Sequence, residues 1–424
     1  MSLPTSAPLS LAVVGAGPVG LSLALHAAQH LPRARLTLYD ARPLALDVSL
    51  DPRTLALSLG SVQLLQRLGA FDAGSAQAIL EVHVSQQPPT GAALVRLLGA
   101  EPELRIRAGD EHVPMLGAVL AHGRIVAPLQ AAWLAAAARE PERLRTRFDA
   151  PVRALKDLGA GVEIDAGIAE AHDLVVVAEG GVFASAAAPS GLGAARLGSW
   201  RHDYRQSAWV GQVTLERAHG GTAYERFTRR GPVALLPLPA DGSGAVRAAL
   251  VWCVPVDDDP VPELDDAQRV ALLNTIFPPA VGGVLAISPL KSFALGLNAQ
   301  RSLVGHAGES PPRGAPRRVV RIGNAAQMLH PVAGQGLNLG LRDAFELVRA
   351  LAAGGPDIDG ALRRVEWRRA PDRLSMIAAT DFLARSFTWV LPGGGAARGL
   401  GLAALQALRP MKSLLARQMM YGSR

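Results

Sequence analysis

Short apolar runs and segments of helical periodicity succeed one another along the chain, and their order predicts the architecture. Residues 9–14 (LSLAVV) are almost unbroken apolar sequence, as a strand covered on both faces requires. A glycine turn follows, then apolar positions at helical spacing from residue 18 to about residue 29. Residues 35–39 predict a second strand ending at Asp40. This β-α-β opening is the start of a parallel sheet. Residues 173–178 (DLVVVA) and 318–322 (RVVRI) predict two further buried strands, each stopping at a glycine-containing turn. Between them, residues 191–287 alternate polar and apolar positions with frequent turns, which predicts an antiparallel sheet. From 351 to 424 the pattern is helical, broken at Pro371, Pro392 and Pro410. The expected class is α/β, or α+β overall.

Composition narrows the possibilities. At 424 residues the chain exceeds a typical single core, so two domains or one domain with an insertion are expected. No long charge-free apolar run marks a membrane span, and the apolar stretch LAVVGAGPVGLSLAL carries glycines and lacks the basic leader of a signal peptide. The lone Cys253 cannot form an internal disulfide, which points to a reducing cytoplasm. The net charge is +7, yet the arginines are scattered and aromatics make up only 4%, so nucleic-acid binding is not expected. One asymmetry stands out: residues 382–424 hold six basic side chains (Arg385, Arg398, Arg409, Lys412, Arg417 and Arg424) and no acid.

The first turn reads GAGPVG, with Gly15, Gly17 and Gly20 at G-x-G-x-x-G spacing around Ala16. Gly15 permits the tight turn, Gly17 lets the backbone approach a pyrophosphate, and Gly20 lets the helix pack on the strand. The helix start offers free N–H groups to phosphates, and Asp40 is placed for a ribose diol. This fingerprint predicts a dinucleotide without choosing between FAD and NAD(P). Residues 322–343 read IGNAAQMLHPVAGQGLNLGLRD, a strand end at Gly323, a loop with Pro331 and small residues, and a helix from about Leu337. A loop without Cβ atoms lets backbone meet a flat ring edge-on, and N–H groups at the helix start favour an anion there.

This string resembles the second FAD motif of the aromatic-ring hydroxylases, usually GDAAHxxxPxxGQGxNxGxxD, and most of all their ubiquinone-biosynthesis branch. DPRTLALS (51–58) resembles that group's D-x-R-x-x-A-L segment, and AYERFTRRGPVALLPLP (223–239) with LVW (250–252) resembles its substrate sheet. The resemblance covers nearly the whole chain. It implies a para-hydroxybenzoate-hydroxylase-like arrangement: a Rossmann-like FAD-binding domain (1–82, 113–190 and 288–350), an antiparallel-sheet substrate domain (83–112 and 191–287) and C-terminal helices (351–424). It implies FAD contacts at Gly15, Ala16, Gly17, Gly20, Asp40, Arg53, Gln130, Val152, Gly323, Asn324, Pro331, Gly334, Gln335, Gly336, Leu337 and Asn338. The Pro331 and Gly336 backbone would lie near the ring.

The chain departs from the family at four positions. Asn324 replaces the ribityl-binding Asp, Gln327 replaces a His, and AEGGVF (178–183) puts Glu179 and Phe183 where A-D-G-x-x-S stands. The GNAAQ form resembles the 2-polyprenyl-6-methoxyphenol hydroxylase branch. The implied chemistry takes NADPH or NADH and O2 through a flavin hydroperoxide to hydroxylate a phenol, so no side chain is named as general base and no metal is expected. Candidate cavity residues are Tyr224, Arg226, Phe227 and Trp252, equally open to plain sheet packing because alternation leaves the inward face undecided. His330 fits a satisfied structural histidine or an acid-base role.

Residues 396–424 fit three readings: a helix on anionic lipid at the inner membrane, a docking helix for a quinone-synthesis complex, or an ordinary core-facing helix. Three functions follow: a hydroxylase of a polyprenyl phenol, one of a small catabolic phenol, or a non-catalytic FAD-binding scaffold.

Overall fold

The computed structural model describes residues 8–87, 101–179, 199–240, 242, 244–307, 316–331, 334–386 and 394–422. Its six-stranded sheet runs Val304–Gly305, Val319–Arg321, Leu174–Val177, Ser10–Val14, Arg35–Tyr39, Leu144–Arg147. Every pairing is parallel except that of the first two strands. Ser10–Val14 has a neighbour on each side, which accounts for its apolar run. Helix Pro18–His30 buries Leu21, Leu23 and Leu25 against helices His122–Arg139 and Gln335–Gly354. Gly20 makes the approach possible, because a Cβ there would lie 1.9 Å from the Gly15 carbonyl oxygen.

The second large unit is a nine-stranded sheet that receives strands from distant parts of the sequence. Ser199–Leu215 lies between Arg247–Pro255 and Lys291–Gln300, both antiparallel to it. Lys291–Gln300, expected with the FAD domain, therefore belongs to this sheet. Glu81–Gln86 and Glu103–Arg107 extend the other edge, joining parallel to Thr222–Phe227. One face is covered by helix Asp266–Ile276, which the alternating pattern of 191–287 hid. Asp265 and Gln268 form its capping box, and Leu273 and Ile276 pack with Trp252, Val233 and Leu250.

Helix Ile358–Ser386 runs through Pro371, where a break was expected. Arg369, Asp372 and Arg373 flank the proline and are all buried in ion pairs or hydrogen bonds, which hold both sides of the helix in one piece. Pro410 does mark a start: it occupies the first turn of the last helix, Arg409–Tyr421, where no N–H is missed. Pro392 lies outside the described residues.

Candidate active site

One cavity of about 820 Å³ joins the first glycine turn, the second loop and one face of the nine-stranded sheet. At the first turn, Gly15 adopts φ +102 and its N–H donates to the Tyr39 carbonyl at 2.8 Å. A Cβ on Gly15 would sit 2.8 Å from the Glu179 nitrogen, whereas one on Gly17 would meet nothing within 4 Å. Gly15 is thus required by the fold, and Gly17 leaves space facing the cavity.

Asp40 stands at the end of its strand, on the cavity wall. Its Oδ2 accepts from the Ala16 N–H at 2.5 Å and its Oδ1 from the Arg42 N–H at 2.8 Å. The Arg42 guanidinium donates to the Ala16 carbonyl at 3.0 Å and to Gln130 Oε1 at 3.3 Å. Gln130 therefore reaches this end through Arg42 and does not itself line the cavity. Val152 packs beside Tyr39 and Val175 under the sheet, also off the wall. Arg53 lines the cavity beside Asp51 (2.6 Å) and His122. Burial, then the nearby Asp40 carboxylate, raises the Glu179 pKa above the usual range. Gly180 to Phe183 lie outside the described residues.

In the second loop, Gly323 and Gly334 both adopt left-handed backbone, with φ +58 and +59. Gly334 is the N-cap of helix Gln335–Gly354, so the helix starts two residues earlier than the apolar pattern indicated. Asn324, Pro331, Gly334, Gln335, Gly336, Leu337 and Asn338 line the cavity. Asn338 also ties the loop down: its Oδ1 accepts from the Ser58 N–H at 2.7 Å, and its Nδ2 donates to the Ala56 and Gly334 carbonyls.

Gln327 points away, fully buried, donating to Asp343 at 2.8 Å and accepting from Arg373 at 2.7 Å. Its role is to anchor the loop on the C-terminal helix pair.

His330 lies on the wall with its Nε2 3.1 Å from Gln206 Oε1 and its ring edge-on to Tyr204. Burial lowers its pKa from 6.5 to about 4, so it is neutral at physiological pH. The unfolded chain takes up a proton below pH 6.5 that the folded one refuses, so this contribution to stability is complete above 6.5 and falls as pH drops toward 4. His330→Gln is expected to flatten the decline of Tm across that window. An unchanged slope in pH-dependent thermal melts would assign the decline to other groups.

At the sheet end, pairing in register decides which residues face inward. Phe293, Ala208 and Cys253 form one cross-strand row, and Val210, Val251 and Ala234 another, all lining the cavity. Their neighbours Trp209 and Trp252 pair with each other on the opposite face. Tyr224 borders the cavity, but it pairs with Leu235 and its ring packs on the opposite, helix-covered face, edge-on to His83. Arg226, Phe227 and Trp252 do not line the cavity. The Arg226 guanidinium donates to the Ile276 carbonyl at 2.7 Å and to Ser85 at 3.1 Å, and Phe227 packs against Val84 and Leu383. Apart from Phe293 the inward residues named here are small or aliphatic, and the aromatic candidates pointed to the wrong face.

These residues fit an FAD. Two glycine turns leave room toward one cavity, since Gly17 and Gly336 would each place a Cβ in open space. Arg42 and Arg53 place two guanidiniums on the cavity wall. A family model described as an FAD binding domain matches residues 309–355. The ubiquinone hydroxylase UbiL of Rhodospirillum rubrum is 32% identical over 96% of this chain and 88% of its own length. The 3-demethoxyubiquinol 3-hydroxylase of Escherichia coli is 29% identical over 96% and 97%. Among solved structures, p-nitrophenol 4-monooxygenase PnpA from Pseudomonas putida superposes with a TM-score of 0.70 at 16% identity, covering 98% of this chain and 99% of that one.

Fold and cavity together define a flavin-dependent aromatic-ring hydroxylase. FAD is its cofactor, and a pyridine nucleotide is the reductant typical of such enzymes. The chain belongs to the FAD-dependent hydroxylase family of ubiquinone biosynthesis.

Proposed function

We propose that this enzyme hydroxylates the ring of a polyprenylated methoxyphenol on the route to ubiquinone, using NADPH or NADH and O2. The observation that carries the reading is the cavity's continuation from the flavin loops along an apolar sheet face lined by Ala208, Val210, Ala234, Val251 and Phe293. An isoprenoid tail matches that lining, and a small polar phenol leaves it unused. When bound, FAD supplies the redox chemistry that activates O2.

The chain's own residues bind, orient and exclude water. Gly15, Gly17, Asp40, Arg42 and Arg53 would hold the dinucleotide. Pro331 and residues 334–338 would hold the ring, with N–H groups at the start of helix Gln335–Gly354 favouring negative charge. The apolar rows on the sheet face keep water away. The same reading places the enzyme on the cytoplasmic side, with residues 396–424 as its contact to the inner membrane or to a quinone-synthesis complex.

A deletion strain is expected to accumulate the methoxyphenol intermediate and to regain ubiquinone when the chain is restored. Accumulation of a different precursor would assign another ring position. In vitro, Ala234→Trp narrows the sheet end of the cavity. Its KM for a long-tailed phenol is expected to rise about tenfold or more, with little change for a one-isoprene analogue. Equal effects on both in steady-state assays would remove the tail from this cavity.

A further inference from the structure

The two strands that lead to the first glycine turn and to Asp40 begin at a second pocket, of about 280 Å³, at the other end of the sheet. Ser10, Arg35, Thr37, Arg143, Arg145 and His172 line it, and none of them borders the flavin cavity. Register explains part of the grouping. Ser10 lies opposite Arg35, and Thr37 opposite Arg145, on neighbouring parallel strands, so alternation puts these four on one face. Further along that face Ala12, Val14 and Tyr39 pack with Val162 and Ile164 of strand Val162–Asp165. The face is apolar where it is covered and turns polar where it meets the pocket.

Most charges at this end already have partners. Arg143 spends its N–H groups on Glu140 and on the Ala28, Leu31 and Ala34 carbonyls. Arg147 donates to Glu170 at 2.5 Å, and Asp173 accepts from the Ser10 N–H at 2.7 Å. Arg35 and Arg145 differ: both are exposed, and their guanidiniums form no ion pair or hydrogen bond with any described residue. Four arginines (35, 143, 145 and 147) against Glu140, Glu170 and Asp173 leave the pocket positive.

We propose that this pocket binds a compact dianion of the phosphate class, held by the Arg35 and Arg145 guanidiniums and the Ser10 and Thr37 hydroxyls. Guanidinium forks match phosphate oxygens and keep their charge at any physiological pH. The two hydroxyls serve oxygens that the arginines leave over, which a planar carboxylate lacks. Because no lining residue is shared with the flavin cavity, the proposal does not depend on the hydroxylase reading.

His172 would report the event. Its ring nitrogens lie 3.0 Å from Ser10 Oγ and 3.0 Å from the Tyr39 hydroxyl. Tyr39 donates its proton to Glu170, so a neutral His172 carries its own on Nε2 toward Tyr39, and its Nδ1 accepts from Ser10. An anion that takes the Ser10 hydroxyl proton as a hydrogen bond draws a second proton from solvent onto His172, whose Nδ1–H then donates to Ser10 Oγ. Burial now holds the His172 pKa below its usual value, against the pull of Glu170 and Asp173 and with the help of Arg145. A bound dianion beside it acts in the opposite direction.

The test is isothermal titration of the FAD-loaded full chain with inorganic phosphate, glycerol phosphate and malonate at fixed ionic strength. Saturable one-to-one binding of a phosphate is expected. Tighter glycerol phosphate assigns a monoester, and tighter inorganic phosphate assigns the free ion. Arg35→Gln and Arg145→Gln are each expected to weaken binding about tenfold or more. Arg229→Gln, at an exposed turn of the nine-stranded sheet, is expected to change nothing. Should a pocket variant fail to fold, the wild type gives a second reading: the His172 ring resonance is expected to titrate at higher pH with phosphate than without. No saturable heat, tighter binding of malonate, or an equal loss in Arg229→Gln would overturn the proposal. So would a His172 titration that phosphate leaves unmoved.

Discussion

Gly336→Val is expected to give a folded chain that no longer holds FAD. Gly336 lies in the first turn of helix Gln335–Gly354, at ordinary helical backbone, and a Cβ there meets no atom within 4 Å. The fold therefore tolerates valine within about 1 kcal/mol. The added methyls instead enter the cavity where the ring would lie. Overlap with a buried planar ligand is expected to weaken FAD binding at least about a hundredfold, or about 2.7 kcal/mol. Flavin fluorescence titration measures the affinity, and a thermal melt verifies the fold. Gly20→Val is the contrasting control: its Cβ would lie 1.9 Å from the Gly15 oxygen, so it should damage folding itself. A Gly336→Val protein that binds FAD as tightly as wild type would place the ring elsewhere.

Asp372→Ala is expected to cost about 3–5 kcal/mol of stability, because it removes a buried carboxylate that two buried arginines share. Asp372 is fully buried and accepts from Arg369 at 2.6 Å, from Arg342 at 3.4 Å and from Gln418 at 3.0 Å. Burial opposes the charge on Arg369, but Asp343 and Asp372 outweigh it and raise its pKa. For Arg342 burial prevails and lowers the value. Removing this carboxylate leaves Arg342 without its ion pair and Arg369 with Asp343 alone. It also frees the last helix, and with it Met419 and Met420 on the cavity wall. Urea unfolding should show the loss, with faster proteolysis near the C-terminus. A change under about 1 kcal/mol would mean that the network is worth little.

The same network shows where sequence reasoning ran out. The β-α-β opening was legible almost to the residue, because a buried parallel strand and a glycine turn each have one simple pattern. Gln327 was legible only as a member of the flavin string. Its partners Asp343 and Arg373 sit 16 and 46 residues away, and only folding brings them together. Arg42 was invisible because an isolated arginine in an arginine-rich chain carries no pattern, yet its guanidinium braces the first glycine turn. The substrate face was missed by a single residue. Alternation separates Trp252 from Val251 and Cys253 but leaves open which set faces inward, and helix Asp266–Ile276 settles it by covering the tryptophan side. That helix did carry a legible start in the Asp265 and Gln268 capping box.

The absorbance spectrum of the purified protein, recorded before and after adding a polyprenyl methoxyphenol, tests the shared cavity most directly. Stoichiometric FAD is expected, with flavin bands that shift when the phenol binds beside the ring. A protein that stays colourless after incubation with FAD, or whose flavin spectrum ignores saturating phenol, would contradict a single cavity for cofactor and substrate.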